Sequence, residues 1–517
     1  MDKLWYLIRW KLLVPVVSRI RIWKRKYFKS RVVVIREKST QLEKAGHLRL
    51  SKDQLLQLGS TAHPSDKTRL GYLDWQLALL DEGYPFPCAA GKKATSKSDL
   101  NSVVFLLYNS LPYASAGYAT RSQSMAKSLL AKQWQVSCAT RYGFPVDVNL
   151  HDGERVNKID QIDGVEYFGA LPEKNSFVRI GSEEFFTLNI QATTELIARK
   201  KPAIIHASSN HINGVAACIA GEKLGIPVIY EVRGLWDITR GSAEVEYMDS
   251  DKYKQSMRME LDVCSRANHV CVITQALKDF LINKGINAQK ITVLPNGVDL
   301  ERFTIRDPDQ ELMQALKLEG KVVIGYVGSM QQYEGLDLLL EAISSVREKT
   351  NVDFHFLAVG DGSEIDLLKK MTIELNISDL VTFTGRVPHH EVADYYSLIH
   401  ICPFPRKNQL VCQLVSPLKP FEAMAMGKAV ISSDVAALRE SIEPGVNGIL
   451  HKADDFNSLS DELLRLIDDP NLVRKIGEGG SMWVKQQRSW ESLTEKLISV
   501  YEHVRHAAYE SEDSSHA

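Results

Sequence analysis

The chain has 517 residues, a formal net charge of −1, and 63 basic against 64 acidic side chains. This length predicts two or three domains with substantial cores. The near-neutral balance argues against a nucleic-acid-binding protein, and no apolar run approaches the ~20 residues that a spanning helix needs. The seven cysteines are scattered and show no metal-type spacing, which predicts free, buried thiols in a reducing compartment.

The first 30 residues depart from this balance, with nine Lys or Arg against the single acid Asp2. Aromatic residues are interleaved with these cations, a combination that suits the headgroup layer of an anionic membrane. Arg9, Lys11 and Pro15 interrupt the apolar runs, which disfavours a signal peptide or a transmembrane helix. We expect peripheral contact with the inner face of the cytoplasmic membrane. A basic tail, or a helix packed on the protein's own surface, is the alternative.

Residues 1–95 are predicted to form a basic helical extension that ends in a small, polar linker at 89–99. From residue 101 onward, short apolar runs typical of buried parallel strands alternate with helical patterns. The expected strands are 103–108, 203–206, 227–230, 269–273 and 291–294, then 321–327, 352–359, 381–383, 399–403 and 429–431. This pattern predicts two doubly wound α/β domains, 101–297 and 298–485, and a terminal helix, 486–507, that returns to the first domain.

Residues 416–428 have the pattern of a short helix with both ends marked. Ser416 is predicted to be the N-cap, Pro417 the first helical residue and Gly427 the left-handed stop. Lys419 and Glu422 are three residues apart and therefore share a face. A helix start suits an anion, and the carboxylate could accept hydrogen bonds from ligand hydroxyls. The alternative is a surface helix with one intrahelical ion pair.

Ligands of open α/β sheets bind outside the carboxyl ends of the strands, and the loops that follow the predicted strands are polar or glycine-rich. Any one of their charged residues is as readily a satisfied structural group, but their recurrence on successive loops favours a site that faces the cleft. Two Asp-x-Asp sequences, at 249–251 and 307–309, lie in polar connecting segments. We interpret them as surface loops rather than metal ligands.

In order and in motif, residues 101–505 resemble the retaining glycosyltransferases of family 4, which have the two-domain GT-B fold. The resemblance rests on the glycine-bearing loop at Gly117 and on the stretches 295–299, 334–337, 360–362 and 422–428. The stretches 116–121, 230–236 and 417–425 look like a bacterial branch associated with surface or exopolysaccharide synthesis. The resemblance therefore implies an α/β, GT-B enzyme with two Rossmann-like domains around a cleft.

The resemblance also implies a nucleotide-diphospho-sugar donor on the carboxyl-terminal domain, an acceptor on the amino-terminal domain, and no bound metal or other cofactor. Glu422 matches the family glutamate that binds the ribose hydroxyls. The donor-side residues are expected to be Gly117, Gly328, Ser329, Gly385, Arg386, Arg406, Ser416, Leu418, Lys419 and Glu422. The acceptor-side residues are expected to be Tyr118, Arg121, His211, Trp236 and Asp237.

Three positions depart from the family pattern and remove one glutamate and the usual Arg/Lys phosphate clamp, namely Leu414, Ser329 and Glu334. A diphosphate leaving group needs its developing charge stabilised. We therefore expect Lys419, with Arg386 or Arg406, to replace the clamp. Arg233 stands where the family usually has a histidine and is expected to face the sugar or its phosphate. The predicted catalytic residues are Arg233, Lys419 and Glu422.

Two other function classes compete with an active glycosyltransferase. A catalytically degenerate GT-B protein that binds nucleotide sugar or glycan as a scaffold is favoured by the missing clamp and disfavoured by Glu422 and the basic replacements. A nicotinamide-dependent oxidoreductase is the general alternative for doubly wound chains. It is disfavoured because no Gly-x-Gly-x-x-Gly turn follows the first strand.

The basic amino-terminal segment generates a direct test. Full-length protein should co-sediment with vesicles that contain an anionic lipid, and a truncation that lacks residues 1–30 should not, because the nine cations are then absent. Neutral vesicles are the control. Full-length protein that stays in the supernatant with anionic vesicles would contradict the membrane contact.

Overall fold

The computed structural model describes residues 31–87, 101–148, 150, 156–172 and 178–513. The predictions for residues 1–30 and for the linker at 89–99 lie outside these residues. Chain contacts divide the protein into two compact units. Of the described residues, the helical unit comprises 31–84, 181–183 and 246–259, and the α/β unit comprises the others.

The helical unit contains three helices near its amino terminus, Arg31–Lys44 (α1), Leu48–Leu56 (α2) and Pro64–Asp81 (α3). Their buried apolar side chains form one small core, made of Ile35, Leu48, Leu55, Leu58, Leu73 and Leu77. His63 caps α3 and Pro64 occupies its first position, where a missing N–H costs nothing. The helical pattern predicted for this part of the chain is confirmed.

The first sheet of the α/β unit has eight strands in the order β3-β4-β2-β1-β5-β6-β7-β8, and all neighbours except β3 and β4 are parallel. Its strands are Ser102–Leu107 (β1), Gln135–Thr140 (β2), Ile159–Ile162 (β3), Val165–Phe168 (β4), Ile204–Ser208 (β5), Val228–Val232 (β6), His269–Val272 (β7) and Ile291–Val293 (β8). Strands β1, β5, β6 and β7 are buried at every residue, as expected of a parallel sheet that helices cover on both faces.

The second sheet has six parallel strands in the order β11-β10-β9-β12-β13-β14. Its strands are Val322–Val327 (β9), Phe354–Val359 (β10), Val381–Gly385 (β11), Ile401–Phe404 (β12), Ala429–Ser433 (β13) and Ile449–His451 (β14). In both sheets the order reverses direction at a central strand, so the loops after neighbouring strands open a crevice at the carboxyl edge.

Helices connect the strands of both sheets. The first group is Gly117–Ala131 (α4), Glu183–Lys200 (α5), His211–Leu224 (α6), Trp236–Ala243 (α7), Asp251–Arg266 (α8) and Gln275–Asn283 (α9). The second group is Gln310–Ala315 (α10), Leu336–Arg347 (α11), Ile365–Glu374 (α12), Val392–Leu398 (α13), Leu410–Leu414 (α14), Lys419–Ala425 (α15), Ala436–Arg439 (α16), Phe456–Asp468 (α17), Pro470–Gln487 (α18) and Trp490–Asp513 (α19).

The chain passes between the two sheets at two adjacent points. Val298 donates its N–H to the carbonyl of Arg488 at 2.9 Å and forms a parallel bridge with Ser489. A Cβ on Gly297 would lie 2.9 Å from that same carbonyl, so glycine permits the close crossing. Beyond it, α19 packs Leu497 and Tyr501 into the core of the first sheet, where the Tyr501 hydroxyl lies 2.8 Å from Nδ1 of His206.

All ten predicted strands are present, with ends shifted by at most two residues. Strands β2, β3, β4 and β14 were not predicted. Strand β3 is an edge strand with Ile159 52% exposed, and β14 is three residues long, so neither carries an apolar run. None of the described helices is long and apolar enough to cross a membrane, and the six cysteines within the described residues are free and buried.

The predicted start of helix α15 is wrong. Helix α15 begins at Lys419 rather than after a Ser416 cap, because the Ser416 carbonyl accepts a hydrogen bond from Asn296 instead. The predicted end of α15 is confirmed, since Gly427 has φ +70°.

Candidate functional site

A cavity of about 210 Å³ lies between helix α4 of the first half of the α/β unit and helix α15 of the second half. Side chains from both halves line it, among them Thr120, Lys127, Arg302, Leu418 and Glu422. Gly117 approaches the same helix, because a Cβ there would lie 3.2 Å from Leu418 Cδ1. The structure thus brings together Gly117, Leu418 and Glu422 from separate parts of the sequence.

Next to this cavity, the first half holds a buried carboxylate that two arginines share. Glu231 at the end of β6 is fully buried, with Oε1 2.5 Å from Arg121 Nη2 and Oε2 2.5 Å from Arg233 Nε. Burial alone would raise the pKa of Glu231, but Arg121 and Arg233 hold it well below its usual range. The carboxylate is therefore charged and firmly paired.

Arg121 donates its other N–H groups to residues 294–296, just before the chain crosses between the two sheets. It donates to the carbonyls of Leu294 and Pro295 at 3.0 and 2.9 Å and to Asn296 Oδ1 at 3.1 Å. Asn296 in turn donates to the Ser416 carbonyl at 2.7 Å. Arg121, expected on the acceptor side, thus lies buried at the junction that leads to helix α15 and contributes its charge there.

Arg233 also faces its own half of the unit. Its Nη1 donates to the Tyr118 carbonyl at 3.0 Å and to the Ser122 hydroxyl at 2.6 Å, and its guanidinium lies 4.7 Å from the Tyr118 ring centroid. Only Nη2 has no hydrogen-bond partner among the described residues, and this atom is buried. These contacts hold helix α4 against strand β6, so Arg233 fixes the position of the helix start that contains Gly117.

The second half holds a matching buried cluster around Lys419. The ammonium lies 3.0 Å from Glu334 Oε1, and Arg406 Nε lies 3.7 Å from Glu334 Oε2. Burial would raise the pKa of Glu334, but Lys419 and Arg406 hold it below its usual range. The ion-pair partner of Lys419 is therefore Glu334 from another loop, and not Glu422 as a solitary surface helix would have it.

Tyr326 connects this pair to the loop after β9. Lys419 Nζ donates to the Tyr326 hydroxyl, which itself donates to the Ser329 carbonyl at 2.8 Å. The Lys419 stem crosses Gly328, where a Cβ would lie 2.5 Å from Lys419 Cδ and where φ is +142°. Only glycine fits both the space and the backbone conformation at this position.

Glu422 lies one turn further along α15, at the wall of the cavity. Its Oε2 lies 3.5 Å from the Tyr396 hydroxyl, which is a weak contact. Burial raises the pKa of Glu422, and the nearby Arg302 and Lys419 counteract only part of this effect. Glu422 is thus a half-buried carboxyl group that lines the cavity and makes little use of its hydrogen-bonding capacity within the protein.

Among the residues expected on the acceptor side, Trp236 is 37% exposed and follows β6. Its ring meets that of Tyr108 edge-on, with centroids 4.5 Å apart at 82°. The Arg141 guanidinium lies 4.3 Å from the Tyr108 centroid and is paired with Asp147. The exposed indole is therefore held by a stack of ordered groups, which suits it to bind a ligand.

His211 after β5 belongs to a separate buried group. Its Nδ1 and its backbone N–H lie 3.3 and 2.9 Å from Glu260 Oε1, and Tyr230 donates to the other oxygen of this carboxylate. The Tyr118 hydroxyl accepts a hydrogen bond from the Tyr108 N–H and donates one to the Ser208 carbonyl. Asp237 is half-buried in the first turn of α7. Ser329 and Arg386 are exposed, and Gly385 has φ +72°.

The sequence patterns did not single out four residues that the structure brings to the site: Glu231, Tyr326, Arg302 and Tyr108. The first two lie inside apolar strands, and the last two lie just outside recognisable motifs. Glu231 carried one usable signal, since a glutamate within a buried strand requires a buried cation. The two Asp-x-Asp segments do not join the site: Asp251 pairs with Arg49, and Asp309 caps α10.

Two family models match the two halves of the α/β unit. A family model described as "Glycosyltransferase Family 4" matches residues 117–302, and one described as "Glycosyl transferases group 1" matches residues 321–469. The D-inositol 3-phosphate glycosyltransferase of Frankia alni is 27% identical over 312 residues, which is 58% of this chain and 74% of that protein. Both halves of the α/β unit are thus matched.

Solved structures show the same fold. Sucrose-phosphate synthase from Thermosynechococcus elongatus superposes with a TM-score of 0.64 at 19% identity and covers 79% of this chain and all of that one. Anabaena HepE in complex with UDP-glucose superposes with a TM-score of 0.59 at 16% identity, over 78% of this chain and 99% of that one. The chain therefore has the GT-B fold. The two glycosyltransferase family models together cover more than half of the residues, so the chain is a glycosyltransferase, and the family 4 model accounts for residues 117–302.

The shared carboxylate generates a stability prediction. Glu231→Gln should destabilise the α/β unit by about 3–5 kcal/mol at neutral pH, because it leaves two buried guanidinium groups without their counter-ion. Since the pKa of Glu231 is depressed in the folded state, its contribution is present above about pH 4.5 and is lost as the pH falls below it. The difference between wild type and variant should therefore shrink in acid.

Urea unfolding at neutral and acidic pH measures this difference. The matched control is Glu244→Gln, which removes a carboxylate from the exposed pair with Arg240 and should cost at most about 0.5 kcal/mol. Equal stabilities of wild type and Glu231→Gln at neutral pH would show that the carboxylate is not needed.

Proposed function

We propose that this protein transfers a sugar from a nucleotide-diphospho-sugar to a glycan or lipid-linked acceptor, with retention, in the synthesis of a bacterial surface or exopolysaccharide. One observation carries the proposal: Glu422 and Leu418 line a single cavity between the two halves of the α/β unit, Gly117 lies against Leu418, and Lys419 follows Leu418 on the same helix. A carboxyl group for ribose, a cation for phosphate and a glycine for close approach are the groups that such a donor requires.

The donor's nucleoside is proposed to bind at Glu422. This side chain is half-buried at the cavity wall and makes only one weak contact among the described residues, so it can accept hydrogen bonds from the ribose hydroxyls or donate to them. Its neighbours support this assignment, because Arg302 lines the same cavity. The presence of UDP-glucose in the Anabaena structure supports a nucleotide sugar of this kind.

The diphosphate is proposed to lie over Gly328, next to Lys419. An ammonium has three N–H bonds, and Glu334 and Tyr326 accept two of them, which leaves one for a phosphate oxygen. Arg406 adds a second, buried positive charge, whereas Arg386 is exposed. With these cations, the leaving diphosphate can be stabilised without a bound metal.

Transfer with retention is proposed to proceed on one face of the sugar. The bond between the anomeric carbon and the diphosphate oxygen breaks, and the acceptor oxygen bonds to the same face while its proton passes to the departing diphosphate. No protein nucleophile is required. Arg233, first expected to touch the sugar, is assigned a supporting role instead, because its Nε and Nη1 donate to Glu231, Tyr118 and Ser122.

The acceptor is proposed to be a glycan that stacks on Trp236. The apolar face of a pyranose ring matches an exposed, ordered indole, and the ring hydroxyls remain available at the edge. Attachment of residues 1–30 to the inner face of the membrane would bring the enzyme to a lipid-linked glycan.

A nucleotide-sugar screen tests the function. UDP-, GDP- and ADP-sugars are compared for thermal stabilisation of the protein and for release of the nucleoside diphosphate. The proposal expects one class to stabilise the protein and to be turned over. Stabilisation without release would support the alternative of a degenerate binding scaffold, and no stabilisation by any class would contradict donor binding.

With the donor from this screen, Lys419→Ala should lower kcat/KM for the donor by about 100-fold, because one preorganised charge at the leaving group is lost. Glu422→Ala should mainly raise the donor KM, because ribose contacts are the same in the ground and transition states. The control is Lys452→Ala, whose ammonium is 74% exposed. Near-normal turnover by Lys419→Ala would exclude its assigned role.

Replacement of Trp236 tests the acceptor site. Transfer to octyl glycosides should show a KM for the acceptor about tenfold higher in Trp236→Ala, with donor hydrolysis unchanged, because only the stacking surface is lost. Trp236→Phe should retain part of the affinity. Ile373→Ala removes another exposed apolar side chain, 69% exposed, and serves as the control. An unchanged acceptor KM, or activity on polyprenyl phosphate alone, would contradict a glycan on this surface.

A further inference from the structure

Glu334 is an unusual residue for its place in the molecule. It is only 4% exposed, and it lies beside the ammonium that we assign to the donor diphosphate. A carboxylate next to an anion site should repel the ligand. Burial makes the cost larger, since a charge taken out of water is retained only where it is paired. Its presence at this position therefore needs a reason.

The contacts of Glu334 supply that reason. Oε1 lies 3.0 Å from Lys419 Nζ, while Oε2 has no hydrogen-bond partner among the described residues and lies 3.7 Å from Arg406 Nε. The shorter of the two contacts of the Glu334 carboxylate is therefore the one with Lys419. The neighbouring arginine needs no help to stay charged, because a guanidinium does not deprotonate in proteins.

We propose that Glu334 is a positioning residue that keeps the Lys419 ammonium protonated and fixed over the Gly328 loop, so that the donor diphosphate meets a preformed cation. The inference rests on the proposed donor site. Glu334 does not touch the donor in this proposal and acts only through Lys419.

The surroundings of Lys419 explain why a lysine here requires such support. Burial lowers the pKa of Lys419, and Arg406 lowers it further. Glu334 opposes both effects through charge and hydrogen bonding, and Glu422 opposes them more weakly. The titratable and charged groups that face Lys419 from the packed elements are Glu334, Tyr326, Arg406, Cys412, Tyr396 and Glu422.

Position matters as well as charge. The chain of hydrogen bonds from Lys419 to the Tyr326 hydroxyl and on to the Ser329 carbonyl ties the ammonium to the loop after β9. With Glu334 on one side and Tyr326 on the other, two N–H bonds are directed into the protein, and the direction of the third is fixed by tetrahedral geometry. A ligand oxygen then binds without reorganisation of the lysine.

Two views of Glu334 predict opposite results for Glu334→Gln. If the carboxylate only repels the donor, the variant should bind a nucleoside diphosphate more tightly at every pH. If it keeps Lys419 charged, the pKa of Lys419 falls in the variant and the ammonium is lost as the pH rises. Binding should then be at least as tight as wild type near pH 6 and about tenfold weaker near pH 9, since one unit of pKa corresponds to a factor of ten.

The experiment measures the Kd of UDP, with GDP and ADP as alternates, by calorimetry with the full chain from about pH 6 to about pH 9, a range in which an unsupported buried lysine titrates. Wild type and Glu334→Asp, which keeps the charge, should show nearly flat profiles. Glu341→Gln removes an exposed carboxylate from α11 and is the matched control. Lys419→Met combined with Glu334→Gln should abolish the pH dependence. Urea unfolding of each variant checks that it is folded.

A Glu334→Gln profile that parallels wild type, or tighter binding at all pH values, would overturn the positioning role while leaving the donor site in place. Wild-type protein that binds none of the three nucleotides at any pH would refute the proposed function and this inference together. If Glu334→Gln fails to fold, the Glu334→Asp and Lys419→Met profiles decide: a nearly flat Glu334→Asp profile, with binding tighter than that of Lys419→Met at every pH, supports the role, and identical profiles of Glu334→Asp and Lys419→Met contradict it.

Discussion

A carboxylate that is sealed from water must be matched by cations, and in this protein that requirement organises the cleft. Glu231 is neutralised by Arg121 and Arg233 within the first sheet. Arg121 then reaches the carbonyls at the crossing to the second sheet. Through Asn296, the same network ends at the Ser416 carbonyl, just before helix α15. One buried charge thus sets the position of the glycine-bearing loop, the crossing and helix α15.

The second half repeats the principle with a different purpose. Glu334 is buried like Glu231, but its main partner is a lysine, and a lysine can lose its proton where an arginine cannot. The first cluster is therefore a permanent support, whereas the second contains a group whose charge depends on its neighbours. A site that must hold a diphosphate and later release it gains from a cation of this second kind.

Much of the fold could be predicted from the sequence because the central strands have continuous apolar runs. Strands β1, β5, β6 and β7 are apolar and buried throughout, so their pattern is that of a parallel sheet. Strand β2 was not predicted because it begins with Gln135 and includes Ser137 and Thr140. The start of α15 was not predicted for another reason. The Ser416 carbonyl accepts a hydrogen bond from Asn296, and a contact with a residue so distant in the sequence leaves no local pattern.

The proximity of several candidate residues was predictable, but their pairings were not. Gly117 lies against Leu418, Gly328 lies against Lys419, and Glu422 follows on the same helix. The partner of Lys419 does not follow from helical spacing, which offered Glu422, because Glu334 arrives from the loop after β9. Similarly, Arg233 lies on a strand-end loop as expected, yet the charge two residues before it turns it inward. Spacing predicts where side chains begin, and buried charge decides where they point.

The two adjacent chain crossings have a mechanical consequence. Val298 and Ser489 are bridged to each other, so the covalent connections between the two sheets lie along one line instead of at opposite edges. This arrangement permits the two sheets to rotate relative to each other about that line, and it resists sliding of one sheet past the other. A small backbone change at Gly297 would thus be amplified with distance from the crossing, and the cleft could open to admit a bulky donor while both sheets keep their packing.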